Sequence, residues 1–223
     1  IMTYLRDYGK RIFLPIYGFY LRGGERTILV DTGLEQFIVP DGAQEACGFP
    51  ILEFDEALAR FDLTPDGIDV IIHTHLHNDH CENDYRCPNA EVFVQQRELD
   101  FFNNPHPIDH RYYPDVLDDV KVTTVDGDAT LFDGIDVLLT PGHTVGGQTV
   151  AVNTAAGCAM ITGFCCNGKN FPAVGPAIAP GVHIDSREAY DSIQKVRQMA
   201  DILIPLHDIE IGRKKSIPEG PPQ

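Results

Sequence analysis

The stretch that decides the fold is His73–His80, "HTHLHNDH", which puts four histidines and an aspartate into eight residues. The whole 223-residue chain holds nine histidines. The stretch follows "IDVII", a short, apolar, β-branched run that reads as a buried strand whose far end delivers the histidines. Two other apolar runs end the same way, "DVLLTPGHT" at His143 and "DILIPLHD" at His207. Strands that bury themselves leave the residues just past their ends at one edge, where side chains from distant parts of a chain can meet. In an extended segment alternate side chains point the same way, so His75 and His77 can face one cation. The turn that follows can swing Asp79 and His80 toward a second.

Outward from this stretch, the sequence alternates strands and helices. "FLPIYGFYLRGGERTILVDTG" reads as a strand, a glycine turn and a second strand ending at Asp31. "FDEALARFDLTPDG" fits a short helix with Asp55 as its N-cap and Pro65 beyond its end. "AEVFVQQRELDFF" is a strand running into a helix, and residues 102–119, rich in Asn, Pro and aromatics, form a loop or cap over the site. "VKVTTVDGDATLFDGIDVLL" supplies strands with Asp-Gly turns, and "GQTVAVNTAAGCAMITG" a hairpin. From Asp185 to Ala200, Ala189, Ile193, Val196 and Ala200 share one helical face behind a cap at Asp185. The expected fold is α/β: two β-rich halves with helices outside, a single domain over residues 1–211 followed by a flexible tail, 212–223.

Composition excludes several functions. Thirty-three acidic against 17 basic residues give a formal charge of −16, a field that repels phosphate backbones and anionic membranes. No apolar run reaches the length of a membrane span, and the first residues lack a signal pattern. The chain begins at Ile1, so its start says nothing about export. Cys47, Cys81, Cys87, Cys158, Cys165 and Cys166 are not spaced as a disulfide framework or a zinc ribbon. Reduced thiols in the cytoplasm are the simplest expectation. No GxSxG elbow supports a serine nucleophile.

"HTHLHNDH", together with "VDTG", "TPGHT" and "IPLHD", resembles the metallo-β-lactamase superfamily, over the span from Asp31 to His207. Within it, "HTHLHNDHCEN…PNAEVFVQQREL" and "VDGDATLFDGIDVLLTPGHTVGGQTVAV" look most like the quorum-quenching N-acyl homoserine lactonase branch. The resemblance implies a four-layer αββα sandwich with a metal pair at one edge of its sheets. It implies that His75, His77 and His143 hold the first metal, and that Asp79, His80 and His207 hold the second. Asp31 matches an aspartate that fixes ligand orientation; from the sequence alone it reads equally as a cap or turn residue.

One position departs from the family. Where a bridging aspartate is expected, in a stretch like "TGD", this chain has "TGFCC", with Phe164 in that place. Cys165 or Cys166 can ligate if the backbone shifts by a residue, with Cys165 preferred; otherwise both are small buried hydrophobes. The tyrosine that lactonases carry just beyond is absent, with Asn167 nearest.

The implied activity is a metal-dependent hydrolase acting on a small-molecule lactone, ester or thioester. Two divalent ions, zinc first with iron or manganese as alternatives, make water reactive, and Asp79 passes the proton. Two alternatives stand beside it: a mononuclear-iron redox enzyme like the persulfide dioxygenases, and a metal-binding member without turnover. No substrate-binding residue and no oligomeric state can be read.

Overall fold

The computed structural model describes residues 2–219 and divides into two compact units, Ile16–Val125 and a second made of the residues up to Pro15 together with those from Asp126 onward.

In the first unit the elements run β1 (Phe19–Leu21), β2 (Ile28–Val30), α1 (Ala43–Cys47), α2 (Phe54–Ala59), β3 (Val70–Ile72), α3 (Asn78–Cys81), β4 (Glu91–Gln95), α4 (Gln96–Asn103) and β5 (Lys121–Val125). The sheet order is β1-β2-β3-β4-β5. β1 and β2 form the expected antiparallel pair, Phe19 opposite Val30. β2, β3, β4 and β5 run parallel, with Val30 opposite Ile72 and Val70 opposite Glu91. Every residue of β2 and β3 is buried, as expected of parallel strands covered on both faces. Leu29, Ile71 and Val92 pack with Leu58 and Ile68. Leu76, Cys81, Val94, Phe102 and Tyr112 form a second cluster directly beneath the histidine turn. The N-cap of α2 is Glu53, not Asp55: Glu53 N donates to Glu56 Oε2 at 3.3 Å. An N-cap needs extended backbone, and Glu53 has it (ψ 161°), whereas Asp55 already lies within the helix.

The second unit holds β6 (Ala129–Phe132), β7 (Ile135–Leu139), β8 (Gln148–Thr154), β9 (Gly157–Ile161), α5 (Ser186–Met199), β10 (Ile202–Ile204) and α6 (Ile209–Gly212). Its sheet order is β10-β9-β8-β7-β6. β8 and β9 are the expected hairpin, turning at Ala155-Ala156. α5 lays Ala189, Ile193 and Val196 inward, and the last two pack with Leu138, Ala151, Met160 and Phe164. The proposed tail begins at the last residue of α6, and its residues 220–223 lie outside the described part of the chain. Among the described residues, no helix is long and apolar enough to cross a membrane.

Strand direction decides where the polar residues fall. In the first unit the parallel strands β2, β3 and β4 all end at one sheet edge, which receives Asp31, the run His73–His80 and the start of α4. In the second, β7 and β9 are each antiparallel to β8, and β10 is parallel to β9, so these three also end together. His143, Phe164-Cys165-Cys166 and His207 follow their three ends.

Candidate metal centre

After β3 the backbone stays extended through His77 (φ −66°, ψ 146°) and then coils into the single turn of α3. His75, His77 and His80 are all buried, each no more than 2% exposed. Their rings crowd together, with centroids 4.6 Å apart for His75 and His77 and 4.2 Å for His75 and His80. Burying imidazoles costs free energy unless each finds a partner. Three buried rings this close place several nitrogen donors within one small volume.

Asp31 organises the group. Its Oδ2 accepts from His80 Nδ1 at 2.9 Å and from Thr74 Oγ1 at 2.7 Å. Its Oδ1 accepts from Thr74 N at 2.8 Å and lies 3.3 Å from His73 Nδ1. Thr74 Oγ1 gives its proton to Asp31 and so accepts from His75 Nδ1 at 3.1 Å. Asp31 is therefore not a helix cap. It sits in the left-handed region (φ 59°), which aspartate tolerates better than most residues. Burial pushes its carboxyl up, but the neighbouring imidazoles of His80 and His73 outweigh this and hold it at about 2.

His73 plays a different part. Its Nε2 lies 2.6 Å from Asp84 Oδ2, so a carboxylate faces each ring nitrogen. Burial pulls His73 down, yet Asp84 and Asp31 raise it to about 9, so it is a buried imidazolium locked in an ion network. Thr32 Oγ1 extends the network by donating to Asp84 Oδ1 at 2.8 Å. His80 is also lowered by burial and raised further by Asp79 and Asp31, to about 10. Asp79 Oδ2 stands 3.4 Å from His80 Nε2, and its side chain is 25% exposed. A cation at Nε2 must displace that proton.

In the second unit His143 and His207 are buried, and each has its Nδ1 on a backbone carbonyl: Val182 O at 2.7 Å and Pro15 O at 2.8 Å. Gly142 shapes the first of these turns. Its φ is 114°, and a Cβ there would meet Ala189 N at 2.1 Å, so the turn lies directly on the start of α5. His75, His80, His143 and His207 thus all engage the protein through Nδ1, which leaves Nε2 as the nitrogen to face a cation, in His80 once its Nε2 proton is displaced. That is how metal-bound imidazoles are oriented, and the donor set of histidines with one carboxylate suits a divalent transition metal.

Phe164 is fully buried among Leu138, Met160, Ile193 and Val196, so no carboxylate stands after β9. The stretch is set by Gly163, where a Cβ would lie 1.9 Å from Gln148 O. Cys166 Sγ lies 3.1 Å from Thr162 Oγ1, and burial pushes its thiol up to about 12; it is a core residue. Cys165 is buried with its Sγ 3.7 Å from Met2 Sδ. No disulfide joins the six cysteines.

Four residues around the site carry no readable signal in the sequence. Asp84 and Glu98 are buried acids, and Glu98 Oε1 accepts from Leu76 N at 3.0 Å and Tyr112 OH at 2.8 Å. Asp109 and Arg111 come from the irregular segment between α4 and β5. Tyr112, from the same segment, is buried against the His77 ring. His106, His110 and Tyr113 are exposed.

Residues 11–163 match the metallo-beta-lactamase superfamily. A probable metallo-hydrolase of Methanocaldococcus jannaschii is 27% identical over 160 residues, 72% of this chain and 66% of that protein, so the chain spans just under two thirds of its length. An N-acyl homoserine lactonase of a Bacillus species is 27% identical over 222 residues, covering 92% of this chain and 86% of its own. A solved N-acyl homoserine lactone hydrolase, with N-hexanoyl-L-homoserine bound at its catalytic metal centre, superposes with a TM-score of 0.74 at 25% identity, covering 95% of this chain and 88% of that one.

Proposed function

The chain belongs to the metallo-β-lactamase superfamily and has its α/β fold, and from that premise we propose a metal-dependent hydrolase of the lactonase type. The observation that carries the reading is the crowding of His75, His77 and His80, buried and buttressed through Asp31 and Thr74. In this reading His75, His77 and His143 hold one divalent ion, and Asp79, His80 and His207 a second. Zinc fits this set first, with iron and manganese as alternatives. When bound, such ions bring the pKa of water from about 15.7 toward about 7 and polarise a carbonyl oxygen.

The chain's own residues supply the rest. The Nδ1–H bonds of His75, His80, His143 and His207 hold each ring in place before any ligand arrives. Asp79, the one carboxylate of the set and 25% exposed, takes the proton and returns it to the leaving oxygen. With no carboxylate at Phe164, Cys165 is the side chain at that strand end to supply a further donor. The substrate class is a small carbonyl compound: a lactone, ester or thioester. An N-acyl homoserine lactone, the substrate named for the Bacillus relative, is the first to try and would make this a quorum-quenching enzyme. We place it in the cytoplasm with its thiols reduced.

The test is turnover of a lactone and thioester panel by metal-loaded protein, with and without chelator, beside Asp79→Asn. We expect activity that the chelator abolishes, and a fall in kcat of about 10²- to 10⁴-fold in the variant. A wild-type rate in Asp79→Asn removes the proposed proton carrier. The burial of Phe164 favours one competing reading, a mononuclear iron site with redox activity. Oxygen uptake with glutathione persulfide, and one rather than two metal equivalents, would support it.

A further inference from the structure

The segment joining α4 to β5 has no regular structure, yet it sets a buried carboxylate, held by a half-buried arginine, against the histidine turn. Asp109 is buried, and its Oδ2 lies 3.5 Å from His77 Nε2. Arg111 clamps this carboxylate with both arms of its guanidinium, Nε to Oδ1 at 2.7 Å and Nη2 to Oδ2 at 2.6 Å. The clamp is itself tied to the site. Arg111 O accepts from Asn78 N at 2.8 Å, and Tyr112 OH donates to the Glu98 oxygen that also accepts from Leu76 N. The Tyr112 ring then meets the His77 ring edge-on at 4.9 Å. Every one of these contacts fixes the carboxylate relative to residues 76–78.

His77 is thereby turned the opposite way from its neighbours. His75, His80, His143 and His207 hydrogen-bond through Nδ1; Asp79 also stands 3.4 Å from His80 Nε2, but it is His77 whose Nε2 faces a carboxylate clamped by a guanidinium. An ion pair whose arginine is 36% exposed adds little to stability, so its position on a ring nitrogen calls for another explanation.

We propose that Asp109, aimed by Arg111, is a positioning residue for His77: it accepts the Nε2 proton and so selects Nδ1 as that ring's ligand atom. A carboxylate partner also makes an imidazole a more basic ligand. The inference rests on His77 being a metal ligand and assigns a role to a segment that metal ligation itself does not use.

The experiment is a zinc titration of the metal-depleted full chain against a competing chromophoric chelator, with cobalt(II) absorption as a second readout. Asp109→Ala should weaken one metal equivalent by about 10- to 100-fold, leave the saturating stoichiometry unchanged and shift the cobalt bands. Asp109→Asn, whose side-chain oxygen can still accept from Nε2–H, should recover most of that loss. Arg111→Ala, which keeps the carboxylate but loosens it, should give a smaller loss in the same direction, and serves if Asp109→Ala does not fold. Affinity within twofold of wild type in Asp109→Ala and Arg111→Ala overturns the proposal and leaves the metal site standing. Loss of a whole equivalent at saturation in both Asp109 variants also overturns it, by making Asp109 a ligand. If wild type binds no metal, the proposal falls together with the reading beneath it.

Discussion

Asp31 binds two imidazoles, a hydroxyl and a backbone amide with two oxygens. Removing it leaves the buried His73 and His80 with one carboxylate each, Asp84 and Asp79, and breaking one side of a buried ion network costs about 3–5 kcal/mol. Asp31→Ala should therefore lower the unfolding free energy of the metal-free protein by that amount in urea titration, with Asp31→Asn losing less because Asn accepts hydrogen bonds and tolerates φ > 0. A loss below 1 kcal/mol would show that Asp31 is not what holds the network together. At this scale the sequence discloses ligands better than their supports. His75, His77, Asp79 and His80 are legible because their spacing fits a strand entering a turn. Asp84, Glu98 and Asp109 are three carboxylates among 33 acidic residues. Each matters only through a contact made by tertiary folding, and nothing local marks it. Phe164 was legible as a departure, but what fills its surroundings is a packing question that only the structure answers.

Among the elements, α5 offers the clearest titration. Asp185 Oδ1 accepts from Arg187 N at 2.8 Å and Glu188 N at 3.2 Å. The bonds from Glu188 and then Arg187 hold its carboxyl below the ordinary 3.8. Because the folded value lies under the unfolded one, the cap's contribution is present above about 3.9 and is lost as pH falls through the lowered folded value. Thermal melts of wild type and Asp185→Asn from pH 6 to pH 2.5 should show the wild type losing its advantage at the acid end. A difference constant with pH would mean the charge contributes nothing. This cap was readable because Asp185 stands immediately before a clean apolar period. The cap of α2 was not: Glu53, Asp55 and Glu56 all stand at its start, and backbone geometry alone chooses Glu53. The strands were legible as apolar runs, and it is their parallel pairing, absent from any local pattern, that places the ligand-bearing ends on common edges.

Across the whole molecule, the surprise is where the N-terminal residues go. Tyr4 N donates to Ala179 O, Gly181 N to Met2 O, and His207 Nδ1 to Pro15 O, so residues 2–15 are built into the unit that starts again at Asp126. Nothing in "MTYLRDYGKRIFLP" carries a period that would announce this, because the segment enters these bonds through its backbone groups, which any sequence carries. The same chain carries a formal charge of −16 and buries five of its nine histidines as proposed ligands. If those rings take up a cation in the folded state alone, the binding stabilises that state. Free metal a hundredfold above its dissociation constant adds about 2.7 kcal/mol per site. For a chain of this size each kcal/mol moves the melting temperature by about 2–4 °C. Scanning calorimetry of chelator-treated protein should therefore melt roughly 5–11 °C below the same protein with zinc restored, per site filled, with the gap widening as free zinc rises. A melting temperature indifferent to zinc across that range would mean that the clustered imidazoles do not bind metal in the folded state, and the hydrolase reading would lose its physical basis.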